Sequence, residues 1–110
     1  MTKYDSRPHE FELNKKLAIL LGIDESKIGQ YVIDGDIMPQ IKIEGFRDKL
    51  YTRCWDDLMP LAHKYELNIY FDNQFPTEAI TGDDSEISRE DKDPAIAIVK
   101  CLIAKLEQSK

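Results

Sequence analysis

The stretch from Asp93 to Leu106 constrains the fold of this chain more than any other. It reads Asp-Pro-Ala-Ile-Ala-Ile-Val-Lys-Cys-Leu-Ile-Ala-Lys-Leu, and 10 of the 12 residues from Ala95 to Leu106 are apolar. Asp93 suits an N-cap, and Pro94 suits the first helical position, where its missing N–H costs nothing. A helix that is apolar nearly all round must be covered on more than one side. The run is too short for a bilayer, which needs about 20 apolar residues. A core helix of a soluble domain follows, ending in the polar tail Glu107 to Lys110.

The rest of the chain must supply that cover. Its 110 residues make one ordinary domain, and 42% of them are hydrophobic, enough for two or three layers. The net charge is −6 and the pI about 4.9. That balance opposes direct binding to nucleic acid or to an anionic membrane, and it permits a basic partner. No apolar N-terminal segment suggests a secretory signal. Cys54 and Cys101 stand 47 positions apart. That spacing points to reduced, buried thiols in predicted helices of a cytoplasmic protein.

In chain order, Met1 to Arg7 is polar and expected to fray. Ser6, Pro8 and Glu10 form a helix entrance. Leu13, Leu17, Leu20 and Leu21 recur at helical spacing, with Asn14, Lys15 and Lys16 on the other face, so a helix is expected over Pro8–Leu21 with Gly22 as its stop. Asp24 to Lys27 reads as a turn. Gln30 to Ile33 has strand propensity, Asp34-Gly35 is a hairpin signal, and Gln40 to Glu44 alternates as a half-buried strand. Pro39 should lie outside that strand or at an edge. Phe46 to Leu50 reads as a connector. Thr52 is the expected cap of a second helix, with Trp55, Leu58, Met59 and Ala62 as its buried stripe and its end near Tyr65. Pro60 should kink or split it. Leu67 to Phe71 and Thr77 to Thr81 read as a strand pair around a five-residue loop. Gly82 to Asp93 carries six acids and two bases and reads as a solvated loop. The sum is an α+β domain, with three helices on both faces of a small, mainly antiparallel sheet.

Trp55-Asp56-Asp57-Leu58-Met59-Pro60-Leu61, then Leu67-Asn68-Ile69, then Asp93-Pro94-Ala95-Ile96-Ala97 together resemble small phage proteins of the NinX-like and phage ABA-sandwich families. Leu13 to Gly22 is similar to the helix-plus-glycine start of such proteins. The resemblance spans roughly Arg53 to Leu106. It implies an α/β/α sandwich and a phage or prophage origin, and it carries no catalytic residues with it.

Candidate chemistry is sparse. Asp56 and His63 would share a helix face, but the rise between them is about 10.5 Å, too far for a direct dyad. Asp56 and Asp57 in a first helical turn also suit the helix dipole. Asp34-Gly35-Asp36, with Asp24 or Glu44, lacks the alternating ligands of a calcium loop. His9, Cys54, His63 and Cys101 lack zinc spacing. The five glycines are scattered and form no phosphate loop. No cofactor and no metal is expected. A lone Trp on an apolar stripe is usually core, yet at a surface it would be a hot spot.

The sequence therefore favours a non-enzymatic phage or prophage accessory protein in a bacterial cytoplasm. It would bind an unidentified host or phage protein, for which the charge favours a basic one, with Trp55, Asp57, His63 and Tyr70 as candidate binding residues. The alternative is a small-molecule- or metal-binding enzyme with a pocket between sheet and helix, lined by Asp57, His63, Tyr70 and the acidic loop. A homo-oligomer formed through strand edges or helix faces is a third reading.

Overall fold

The structure, a computed structural model, describes residues 7–70, 77–81 and 87–108. Helix α1 covers Arg7–Leu20, and a 3-10 turn at Glu25–Lys27 leads into β1 (Ile28–Ile33) and β2 (Asp36–Ile43). Helix α2 (Trp55–Lys64) is followed by β3 (Leu67–Tyr70), β4 (Thr77–Thr81), β5 (Ser88–Asp91) and α3 (Pro94–Gln108). The class is α+β, with three helices and antiparallel strands. The expected fraying of residues 1–6, the loop 72–76 and the strand end at Phe71 lie outside the described residues.

The strands form two sheets, the hairpin β1–β2 and the meander β3-β4-β5. Helix α1 lies on β2, α3 lies on β4 and β5, α1 packs on α3, and α2 packs on α3. The contacts thus run hairpin, α1, α3, three-stranded sheet. The hairpin does not join the second sheet, and the outer edge of β2 is bridged at Ile41 by the connector. Ile41 N–H donates to the Lys49 carbonyl at 2.9 Å, and Lys49 N–H donates back to Ile41 at 3.1 Å.

Helix α3 is the centre. Asp93 Oδ1 accepts from Ala95 N–H at 2.9 Å, the expected N-cap bond. Ala95, Ala97, Ile98, Val99, Cys101, Leu102 and Ile103 are buried, on more than half of the helix circumference. Lys100 stands on what remains, and its Nζ meets Asp91 Oδ2 at 2.8 Å. Truncating Leu102 to alanine in such a setting costs about 2–5 kcal/mol.

Helix α1 stops as the glycine implied. Gly22 has φ +105°, its N–H donates to Ile19, and Ile23 N–H donates to Ala18, which is a Schellman closure. The hairpin turn is also as read. Ile33 pairs with Asp36, and Asp34 and Gly35 both have positive φ (53° and 84°), the backbone of a type I′ turn. Pro39 lies inside β2, in an irregularity where Met38, Pro39 and Gln40 face the single residue Tyr31. In a two-stranded sheet that is a position where a proline costs no ladder bond.

Several expectations give way. Asn14 is on the inward face of α1 and fully buried. Its Nδ2 donates to the Pro39 carbonyl at 2.9 Å and to Thr52 Oγ1 at 3.0 Å, and its Oδ1 accepts from Thr52 N–H at 3.1 Å. Thr52 is therefore a partner of α1 and does not cap α2. The N-cap is Cys54, without a side-chain cap bond. Pro60 does not split α2, which runs unbroken from Trp55 to Lys64. The segment read as a solvated loop contains β5, although Ser88-Arg89-Glu90-Asp91 has no apolar residue. Its ladder to β4 supplies what propensity lacks: Thr77 pairs with Asp91 and Ile80 with Ser88. Thr81 N–H also donates to Ile87 at 2.9 Å. Charged residues are what an edge strand tolerates.

Asn14→Ala should lower stability by about 2–4 kcal/mol in urea unfolding, because it strands a buried Thr52 N–H and a buried Pro39 carbonyl. Asn14→Asp should cost about as much despite its shape, since it sets an acceptor against the Pro39 oxygen. A loss below about 1 kcal/mol for both would remove this role from Asn14.

Candidate functional site

Helix α2 turns a different face to the core than its first stripe implied. The buried line runs through Leu58, Leu61, Ala62 and Tyr65, the i, i+3, i+4, i+7 set that starts one turn later. At 3.6 residues per turn this rotates the helix by about 60°. Trp55, expected in the core, is left 46% exposed, and Met59 42% exposed on the same flank.

Trp55 borders a cleft of about 410 Å³ where the first turns of all three helices meet. Glu10 of α1, Thr52 and Arg53, and Asp93, Ala95 and Ile96 at the start of α3 line it with Trp55. Arg53 holds the buried carboxylate of Glu10 by two bonds, Nε to Oε1 at 2.8 Å and Nη2 to Oε2 at 2.7 Å. Each positive helix end already has a carboxylate from this chain: Glu10 for α1, Asp56 and Asp57 for α2, Asp93 for α3. The cleft thus offers Trp55 beside one exposed carboxylate, Asp93, with the paired Arg53 and Glu10 along its wall. Chemically that suits a cationic or aliphatic side chain better than an anion.

The other candidate residues are elsewhere. Asp57 is buried and spoken for: Leu50 N–H donates to Oδ2 at 3.0 Å, Arg47 Nη2 reaches Oδ1 at 3.1 Å, and Lys49 Nζ is 3.8 Å away. It anchors the Phe46–Leu50 connector to α2. His63 is exposed near the end of α2, and Tyr70 is 57% exposed at the end of β3. Asp57, His63 and Tyr70 line neither the Trp55 cleft nor a second one, of about 480 Å³, along α1. No group of three or more His, Cys, Asp or Glu is placed to hold a metal ion among the described residues. Cys54 is half-buried and Cys101 is buried, with its Sγ donating to the Ile87 carbonyl at 3.9 Å, and neither is in a disulfide. No described helix is long and apolar enough to cross a membrane.

Sequence reasoning missed Glu10, Arg53 and Asp93 as neighbours of Trp55, since 43 positions separate Glu10 from Arg53. The exposure of Trp55 did have a signal: the competing stripe Leu58, Leu61, Ala62, Tyr65 has the same helical spacing. No family model, no curated protein and no solved structure matches this chain.

Two electrostatic features of the region are testable. Burial, and then the charge of Asp57, push the Tyr51 hydroxyl from 10.0 up to about 12. Because the folded value is the higher one, the stability it brings is complete below pH 10 and is lost as pH rises toward 12. Urea midpoints should fall over that window, and Tyr51→Phe should fall less. An equal fall in both proteins would exclude Tyr51 as the source. Asp57→Ala should cost about 1–3 kcal/mol by stranding Leu50 N–H, whereas an unchanged urea midpoint would free Asp57 for another role.

Proposed function

We propose that the protein is a phage or prophage accessory protein that acts by binding a host or phage protein in a bacterial cytoplasm, without catalysis. One observation carries this reading: Trp55 and Met59 stand exposed on one flank of α2, and Trp55 shares its cleft with the exposed carboxylate of Asp93. A solvent-exposed Trp set in a polar-rimmed cleft is the arrangement in which interface hot spots concentrate. The surrounding carboxylates and the net charge of −6 favour a basic partner, and would speed its encounter more than they tighten it. The phage origin rests on the resemblance of residues Arg53 to Leu106 to the phage families. The use of Asp57 as a connector anchor supports a binding role over acid–base chemistry at that residue.

Affinity purification of tagged protein from a bacterial host lysate, at low and high salt, tests the reading when paired with Trp55→Ala. The expected result is one stoichiometric basic partner, released at high salt and weakened at least about thirtyfold by the substitution. A partner held equally by wild type and Trp55→Ala would place the binding face elsewhere. Salt-insensitive retention would remove the electrostatic component.

A further inference from the structure

The hairpin has two edges, and they are treated differently. That of β2 is covered at Ile41 by Lys49. That of β1 has no strand bonded to it among the described residues. Glu44 N–H donates to the Lys27 carbonyl at 2.9 Å, so the backbone of Lys27 faces β2. The alternation of an antiparallel ladder then turns the N–H and C=O groups of Ile28 and Gln30 outward. At the other end Ile33 pairs with Asp36 across the two-residue turn, which turns those of Val32 outward as well. The irregularity of the hairpin puts its additional residues on β2, so the outer edge of β1 stays continuous.

The usual protections of an open edge are absent from β1. It carries no charge and no proline, and it runs for six residues, Ile-Gly-Gln-Tyr-Val-Ile. Val32 is 54% exposed and Ile33 55%. The contrast within the molecule is direct: the edge strand β5 is Ser-Arg-Glu-Asp. Its charges are a way of blunting an edge. An uncharged edge left unblunted is a template for another strand.

We infer that the outer edge of β1 pairs antiparallel with β1 of a second copy of this chain, joining two hairpins into one four-stranded sheet. Two features select a second copy. The strand is self-complementary about Gln30: with Gln30 opposite Gln30 on the twofold axis, Ile28 of one copy faces Val32 of the other, and all these residues have outward backbone groups. Each such pair exchanges two backbone hydrogen bonds. In a chain of net charge −6, an uncharged edge is also where two copies meet with least repulsion. A strand pair buries less than the ~1,600 Å² of a standard interface, so the dimer is reversible. This pairing uses a different face from Trp55 and stands or falls independently of it.

Sedimentation velocity over a concentration series tests the register through a charge swap at Gln30, which is exposed and is not needed to fill the core. Wild type should show a reversible monomer–dimer equilibrium. Gln30→Arg and Gln30→Glu should each raise the dissociation constant about fivefold or more, because like charges face each other across the axis. An equal mixture of the two variants should recover the dimer, and circular dichroism should match wild type throughout. A wild type that stays monomeric to its solubility limit overturns the proposal and leaves the edge to a strand of another protein. So does a dimer that both variants retain at wild-type strength, or a mixture that does not recover.

Discussion

One buried side-chain amide holds the parts of this molecule in register. Asn14 reaches from α1 to the Pro39 carbonyl of β2 and takes both the hydroxyl and the N–H of Thr52. Hydrophobic burial is non-directional, so the apolar contacts of α1 alone would tolerate sliding. A fully buried amide does not, because any shift leaves polar groups unpaired where no water can reach them. Among the described residues every buried side-chain nitrogen and oxygen has a partner. The position of Thr52 then places Arg53 against Glu10 and Trp55 at the mouth of the cleft. Glu10 and Asn14 stand one turn apart on the same buried face of α1, so that face sets the geometry of the candidate binding face.

A second tie works alongside the first. Asp57, in the first turn of α2, holds the Leu50 N–H and draws Arg47 and Lys49 toward it. Lys49 in turn closes the outer edge of β2 through Ile41. The connector therefore does two jobs: it ends the hairpin sheet on one side and orients α2 on the other. Two of the surfaces that remain open after both ties, besides Phe46 and Tyr70, are the Trp55–Met59 flank on α2 and the outer edge of β1. Both are apolar surfaces in a chain whose net charge of −6 keeps most of its exterior solvated.

Local signals were legible in the sequence and distant ones were not. The Asp93-Pro94 start of α3, the Gly22 stop of α1, the Asp34-Gly35 turn and the whole of β4 each follow from residues that act on their own neighbours. Asn14 carried no such signal. Its neighbours Lys15 and Lys16 are polar, and only the fold brings Pro39 and Thr52, 25 and 38 positions away, to its amide. Strand β5 was hidden because its residues have no strand preference, and the ladder of β4 imposes the conformation. The site was half legible. Trp55 could be singled out as a residue type, but two apolar stripes competed on α2, and the choice between them depended on how α2 meets α3. The carboxylates that share the cleft with Trp55, Glu10 and Asp93, come from two different elements and have no linear pattern.

Native-state hydrogen exchange at Thr52 tests the central claim, that the Asn14 bridge belongs to the global fold and is not a local contact. Thr52 precedes α2 in irregular backbone, where amides ordinarily exchange through local openings. If its N–H is held by the buried Asn14 oxygen, it should exchange only with complete unfolding, at the same free energy and with the same denaturant dependence as the amides of Val99 and Leu102 in α3. Exchange of Thr52 at a far lower free energy, with α3 still protected, would show that the bridge opens independently, and register would have to come from apolar packing alone.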